Sequence, residues 1–261
     1  MQRLNFALPL KGLCLTLGTI LGLTLLPSNA LAQQVTLTQW NFNNSSTTPN
    51  INITTGNPTG TPSVSLVGGV TASSFLSGSG SSDRESLNRA WQTSNYPAQG
   101  SGNKTGGVEF DASTVGYQNI TVSWDQRFSD TASKNVQFQY STNGTTFVDF
   151  ANPSTVNGLF TVGGGNTWSN NNTVNLSGIS EVNNNPNFSF RIVSAFDTTN
   201  VGNYVAANPG SNYGSGGTWR FDMVTVTATP VPEPFTIIGS LTALGIGTVI
   251  KRKYASAGQI K

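Results

Sequence analysis

The stretch NITVSWDQRF, residues 119–128, decides the fold class. Its apolar side chains at Ile120, Val122 and Trp124 share one face, and the polar side chains, Arg127 among them, share the other. Because successive side chains of a β-strand point to opposite faces, this period of two predicts a strand with one buried face. We therefore expect Trp124 to lie in the core.

Further strand-like runs recur along the chain, separated by clusters of Gly, Asn, Ser and Pro. The clearest cover residues 35–42, 64–70, 106–110, 120–128, 135–142, 145–150, 188–196 and 219–228. Their number and spacing, without a run that favours a substantial helix, predict one all-β sandwich or jelly-roll domain over residues 33–230. Trp40 and Trp219, at the ends of two runs, are assigned to its core.

One hairpin can be predicted in detail, within KNVQFQYSTNGTTFVDF, residues 134–150. The pair Asn143-Gly144 is typical of a type I′ turn, which needs two positive φ angles. Such a turn would place Tyr140 opposite Phe147, and Phe138 opposite Asp149.

Two motifs carry a resemblance to a known class of domain. FQYSTNG (residues 138–144) and the closing strand WRFDMVTVTA (219–228) resemble the hairpin and the last strand of carbohydrate-binding jelly rolls in secreted bacterial proteins. The resemblance implies a glycan-contacting domain. In such folds an aspartate like Asp222 can help to hold a structural calcium; no other cofactor is implied, and the sequence assigns no further metal ligand.

The N-terminus has the layout of a secretory signal peptide. Basic residues at Arg3 and Lys11 accompany an apolar run over 13–26, and Ala30 and Ala32 supply small residues for cleavage. Residues 1–32 are therefore predicted to be a signal helix that signal peptidase removes after Ala32. The alternative, a retained anchor, is less favoured because 14 apolar residues are fewer than the roughly 20 that span a bilayer.

The C-terminus combines an extended tripeptide, an apolar helix and a basic cluster. Pro232 and Pro234 flank Glu233 and keep this segment out of regular structure. Residues 235–250 are 16 uncharged residues, about 24 Å as a helix, shorter than the roughly 30 Å hydrocarbon core. Positive charges at Lys251, Arg252 and Lys253 favour the cytoplasmic side, with residues 254–261 as a short tail. An ordinary anchor or a buried helix are the alternatives.

This arrangement over residues 231–253 resembles the PEP-CTERM sorting signal of exported bacterial proteins. The resemblance implies recognition by an exosortase-type membrane peptidase, cleavage near the tripeptide, and delivery to the cell surface or extracellular matrix. The chain departs from the usual pattern by continuing for eight residues beyond the basic cluster. The membrane would be at least a transient partner, and extracellular polysaccharide a further one.

Composition excludes several function classes. The chain has no histidine, and its single cysteine, Cys14, lies in the predicted signal peptide. Ser-His-Asp and Cys-His catalysis and His- or Cys-ligated zinc are thereby excluded for the mature chain. Residues 33–230 carry seven basic and ten acidic residues, a net charge of −3, which argues against nucleic-acid binding.

Carboxylates are the only candidates for catalysis. Glu109 and Asp111 flank Phe110 and point to the same side of a predicted strand, about 6 to 7 Å apart. A glycoside hydrolase needs two carboxyl groups at about 5 to 9 Å, so an extracellular polysaccharide hydrolase is the alternative function. Two acids on a solvated strand face are the simpler interpretation, and residues 83–85 are assigned to a solvated loop. We therefore predict no catalytic residues.

Sugar binding requires exposed flat rings together with amide and hydroxyl groups. Trp91, Tyr96, Trp168 and Tyr213 lie in stretches rich in Gly, Asn and Ser and are the predicted ligand platforms. The sequence thus predicts a non-enzymatic, exported β-sandwich at the cell surface or in the matrix, which contacts glycan or serves as a structural adhesive.

Overall fold

A computed structural model describes residues 33–43, 51–52 (backbone only), 61–151, 153 and 158–232. These residues form two antiparallel sheets that face each other as a sandwich. The predicted all-β class is confirmed. Both predicted flanking helices, within residues 1–32 and 235–250, lie outside the described residues.

The first sheet has seven strands in the described part of the chain: β1 (Val35–Trp40), β2 (Ile51–Asn52), β4 (Thr71–Ser77), β5 (Arg89–Ser94), β7 (Tyr117–Phe128), β11 (Trp168–Asn175) and β13 (Trp219–Pro230). The second has six: β3 (Ser63–Val67), β6 (Gly107–Asp111), β8 (Asn135–Ser141), β9 (Val148–Asp149), β10 (Phe160–Thr161) and β12 (Ser189–Ser194). A single 3-10 turn at Ser180–Val182 is the helical element that the described residues contain.

Strand β13 organises the seven-stranded sheet. One edge pairs with β7, whereas the other pairs with β5 over Trp219–Phe221 and with β1 from Val224 onward. Between Asp222 and Thr225 the register of β13 against β7 shifts, and Met223 adopts φ 49°. Such a bulge bends the strand locally. At the N-terminal end of β13 the strand order is therefore β11-β7-β13-β5-β4.

The core between the sheets is dominated by aromatic rings. Trp40, Trp124 and Trp219 are 0–1 % exposed, which confirms their predicted burial. Trp124 stacks on Phe138 of the opposite sheet at a centroid distance of 5.7 Å, and Trp40 meets Phe110 edge-on at 5.0 Å. Trp124, one of the alternating apolar residues that predicted β7, thus packs against the opposite sheet.

The predicted hairpin is wrong by one residue. Gly144 has φ +74° but Asn143 does not have a positive φ, so the turn is not type I′. The Asn143 side chain instead accepts hydrogen bonds from the Thr145 and Thr146 backbone N–H groups, which builds a wider turn. Tyr140 consequently lies opposite Val148, and Asp149 lies opposite Gln139 instead of Phe138.

Candidate functional site

Two of the predicted ligand platforms are core residues. Trp91 and Tyr96 are each 5 % exposed. Trp91 stacks on Phe42 at 5.7 Å, and the Tyr96 hydroxyl is within 2.6 Å of Thr93 Oγ1. The prediction is corrected here because Trp91 belongs to β5, a strand that its polar sequence RAWQTS did not reveal.

The other two predicted platforms are partly exposed. Tyr213 stacks on Tyr204 at 4.6 Å, and its hydroxyl donates to the Pro97 carbonyl at 2.6 Å. Trp168 begins β11, and its indole N–H donates to the Ser79 carbonyl at 2.9 Å. Tyr213 is thus built into an aromatic stack, whereas Trp168 lies against a surface loop.

Trp168 belongs to a row of side chains that crosses the outer face of the seven-stranded sheet. In the register of this sheet, Trp168 lies opposite Arg127, Arg127 lies opposite Arg220, and Arg220 lies opposite Gln92. Directly opposed residues of an antiparallel pair have Cβ atoms about 5 Å apart and share a face. We call these four residues the arginine row. All four are partly exposed.

The two guanidinium groups of this row bind neutral acceptors. Arg127 donates to Asn166 Oδ1 at 3.0 Å, and Arg220 donates to Gln92 Oε1 at 2.9 Å and to the Ser77 carbonyl at 3.2 Å. Neither forms an ion pair with a described residue. Burial lowers the pKa of Arg220, and the neighbouring charge of Arg127 lowers it further.

The arginines were not among the sequence-predicted site residues. The alternation in residues 119–128 already placed Arg127 on the outer face, but its pairing with Arg220 depends on the register between two distant strands. That register cannot be obtained from local pattern alone.

A loop, residues 78–88, covers the sheet beside the arginine row. Two buried carboxyl groups hold it, Asp125 and Asp222, which are 1 % and 0 % exposed and lie opposite each other. Asp125 accepts hydrogen bonds from the Ser82 N–H at 2.5 Å and the Asn171 N–H at 2.7 Å. Asp222 accepts from the Ser81 hydroxyl at 2.6 Å and from its neighbour's N–H, that of Met223, at 2.8 Å.

Of the two, Asp222 titrates abnormally, because its carboxyl group is buried. Burial raises the pKa of Asp222 to about 7. The charges of Asp83 and Asp125 act in the same direction, while the hydrogen bonds from Ser81 and Met223 oppose it. Near neutral pH, Asp222 is therefore partly protonated and partly ionised.

The residues around Asp222 do not fit the calcium site that the resemblance implied. Within the described ranges, no three acidic, cysteine or histidine side chains converge on one point. Both oxygens of Asp125 and both of Asp222 already accept from protein donors. The pair instead binds the loop through Ser81 and Ser82.

The loop also forms an open polar pocket of about 360 Å³. Residues 83–86 line it together with Ser77, Ser79, Gly80 and Asn88. Gly80 has φ +99°, and a Cβ added there would lie 2.7 Å from Trp168 Cδ1, so the indole edge packs directly on the loop backbone. The predicted solvated loop at residues 83–85 is thus one wall of a cleft that adjoins Trp168.

The outer face of the six-stranded sheet carries Glu109 and Asp111 as predicted, but both have partners. Arg191 donates to Glu109 Oε2 from Nε at 2.7 Å, and its Nη2 lies 2.6 Å from the same oxygen. Asp111 accepts from the hydroxyls of Ser63 at 2.5 Å and Ser189 at 2.6 Å. Both carboxylates are thus bound by side chains of their own sheet or its edge.

Most of the predicted processing residues lie outside the described residues: Ala30, Ala32, Glu233, Pro234, Lys251, Arg252 and Lys253. Pro232 is described and exposed. Just before it, the Val231 N–H donates to the Gly116 carbonyl at 2.9 Å, the last recorded backbone bond of the sandwich. A search of the described part of the chain finds no helix with the length and hydropathy needed to cross a membrane.

Comparison with known proteins gives a structural similarity only. No protein-family model matches the chain, and no curated protein does. Among solved structures, the chain is similar to the N-terminal CBM22-1–CBM22-2 tandem domain of Paenibacillus barcinonensis Xyn10C, with a TM-score of 0.41 and 8 % identity, over 78 % of this chain and 49 % of that one. The chain therefore spans about half the length of that structure.

Proposed function

We propose that this protein is an exported, non-enzymatic β-sandwich that binds glycan through Trp168 and the adjoining cleft at the cell surface or in the extracellular matrix. One observation carries the proposal. Trp168 is a partly exposed ring whose edge is fixed by a hydrogen bond to Ser79, and it adjoins a polar pocket of about 360 Å³.

The chemistry of this neighbourhood suits a sugar. Glycan recognition combines a flat apolar ring with convergent hydrogen-bonding groups. Beside Trp168, Arg127 and Arg220 offer guanidinium N–H donors, and the pocket offers serine hydroxyls. Because the ring is already held by the loop, little side-chain entropy would be lost on binding.

The absence of catalysis is part of the proposal. On the described strands, carboxyl groups lie close together at Glu109 with Asp111 and at Asp125 with Asp222. The first pair is engaged by Arg191 and by serine hydroxyls, and the second is buried beneath the loop. A hydrolase requires an accessible pair on both sides of a scissile bond.

Export and sorting complete the proposal. Signal peptidase would cleave after Ala32, and an exosortase-like peptidase would act near residues 232–234, releasing the sandwich to the surface or matrix. The position of Pro232, exposed and directly after the last sheet hydrogen bond, supports access for a protease at this point.

Glycan binding is tested by titrating polysaccharides into protein recovered from cells that express the full chain. Trp168→Ala should weaken binding by about tenfold or more, because truncating a central aromatic contact costs at least about 1.4 kcal/mol. Trp168→Phe keeps an aromatic ring, so its affinity should lie between that of Trp168→Ala and that of the unaltered protein. Phe147→Ala removes a partly exposed ring from the other sheet and is the matched control, expected to bind like the unaltered protein. Loss with Phe147→Ala but not with Trp168→Ala would contradict the proposed site.

Export is tested by measuring intact masses of the protein from culture medium and from membranes. A secreted species that begins at Gln33 and ends within residues 231–234 is expected. A membrane-held species that still carries Lys261 would show a permanent anchor and contradict sorting.

A further inference from the structure

We infer that the glycan is acidic, and that Arg127 and Arg220 together bind a carboxylate or sulfate group of the polysaccharide whose sugar ring lies on Trp168. This inference rests on the proposed function and specifies its ligand class. It is carried by the charge distribution of the described residues and by the geometry of the arginine row.

Cations are divided unequally between the two sides of the sandwich. Lys104, Lys134 and Arg191 each form an ion pair within 2.9 Å. The other four cations of residues 33–230 form none with a described residue, and all four lie around the 78–88 loop or on the sheet beside it: Arg84, Arg89, Arg127 and Arg220. Within a domain of net charge −3, this side therefore carries the four cations that no described carboxylate pairs with, and they are free to attract an external anion.

Arg127 and Arg220 are the pair best placed to share one anion. They oppose each other across β7 and β13, so their Cβ atoms are about 5 Å apart. Like charges in this position repel, and the repulsion is relieved when an anion lies between them. Each guanidinium has five N–H donors, of which the described contacts use one on Arg127 and two on Arg220. Donors therefore remain for a bidentate contact.

Carboxylates near Arg127 and Arg220 do not form ion pairs with them in the described part of the chain. Asp125 and Asp222 lie two residues from the arginines along the same strands, but they are held under the loop by Ser81, Ser82 and Asn171. Asp83, at the pocket, accepts from Asn43 Nδ2 at 2.7 Å. Glu85 is exposed and forms no ion pair with a described residue. The hydrogen bonds to Ser81, Ser82 and Asn171 thus occupy the buried acidic pair, whereas the basic pair is partly exposed.

Trp168 makes the site specific for a charged sugar instead of a free ion. It lies directly opposite Arg127, on the flank away from Arg220. A ring stacked on the indole would bring a substituent of that ring, or of the next one, over the guanidinium groups. A uronate or a sulfated sugar supplies both the apolar ring face and the anion.

The experiment uses three acidic polysaccharides, each with a neutral counterpart: polygalacturonate with its methyl ester, alginate with carboxyl-reduced alginate, and chondroitin sulfate with desulfated, carboxyl-reduced chondroitin. The protein comes from cells that express the full chain. Binding is expected for at least one acidic polymer, with about tenfold or greater loss for its neutral form. Arg127→Gln and Arg220→Gln should each weaken that binding by about tenfold, the range for one charge-assisted contact.

Lys104→Gln is the matched control, since it removes one positive charge from the other sheet and should leave affinity unchanged. Affinity for the acidic polymer should fall as salt is raised, and the salt dependence should be smaller in either arginine variant. Either Arg→Gln change should alter the unfolding temperature far less than it alters affinity, which separates a binding role from a structural one.

The outcomes distinguish this inference from the proposed function. Equal binding of acidic and neutral forms, lost with Trp168→Ala but unchanged in the arginine variants, would leave glycan binding intact and overturn the acidic ligand. Binding to none of the six polymers would overturn both. Full displacement of the polymer by inorganic sulfate at equal charge would show a simple anion site and contradict polysaccharide recognition.

Discussion

Charged residues lie on the outer faces of both sheets, but their partners differ between the two faces. On the six-stranded sheet, Glu109 is paired with Arg191, and Asp149 is paired with Lys104. On the seven-stranded sheet, the acids lie buried under a loop and the neighbouring arginines have only neutral acceptors. On the first face, Asp111 is the carboxylate with hydroxyl partners instead of a cation. On the second face, the cations are the groups with neutral partners, which is why we place an anionic ligand there.

The largest expected effect comes from the buried acidic pair, Asp125 and Asp222. Asp125→Ala would leave the Ser82 and Asn171 N–H groups without their acceptor, at about 1 to 3 kcal/mol each, so we expect roughly 4 kcal/mol lower free energy of unfolding. Asp149→Ala, on the other face, removes an exposed pair and should cost less than about 1 kcal/mol. Urea titration measures both. Equal losses would mean that the two faces do not differ in this way.

A slightly smaller effect is expected from pH. The pKa of Asp222 is raised to about 7, so the folded chain keeps this proton after the unfolded chain has lost it near pH 4. Stability should therefore fall as pH rises from about 4 to about 7, by on the order of 3 kcal/mol from this carboxyl. Asp222→Asn should be more stable than the unaltered protein at pH 8 but not at pH 4. Parallel pH profiles of the two proteins would refute the assignment.

On the six-stranded sheet, the ion pair itself can be removed. Arg191→Gln leaves Glu109, whose side chain is 14 % exposed, without its cation. We expect a loss of about 2 kcal/mol, less than the 3 to 5 kcal/mol of a fully buried pair because Arg191 is 29 % exposed. Adding Glu109→Gln should recover part of that loss. If the double variant were less stable than the sum of the two single variants predicts, the charges would not be coupled as described.

The smallest effect belongs to the arginine row. Arg127→Gln or Arg220→Gln relieves the repulsion of two opposed like charges but also removes one or two hydrogen bonds to neutral acceptors, so the free energy of unfolding should change by less than about 1 kcal/mol. Thermal unfolding without glycan is the measurement. A fall comparable to that of Arg191→Gln would show that the arginines are structural.

The sequence predicted those parts of the fold that depend on a local alternation of apolar and polar residues. The period of two in β7 correctly placed Trp124 in the core and Arg127 outside, and β13 was found for the same reason. Strands β4, β5 and β11 were missed because their sequences, such as WSNNNTVN, are rich in Ser, Thr and Asn. Trp91 was therefore misassigned to the surface.

The candidate site depends on features that sequence pattern does not contain. Arg127 meets Arg220 through long-range register, and Asp125 and Asp222 become buried only because a loop folds over them. The single-residue error at Asn143 shows how sensitive such pairings are. Trp168 was predicted as a platform from its surroundings, and that role stays a prediction.

Where the ligand binds can be tested directly, because we propose that it occupies the face with the unpaired arginines. The most direct measurement is an NMR titration of arginine-labelled protein with the acidic polymer it binds, following the side-chain Nε–H signals. The account predicts that the signals of Arg127 and Arg220 shift while that of Arg191 does not. A shift confined to Arg191, or equal small shifts of all arginines, would contradict it.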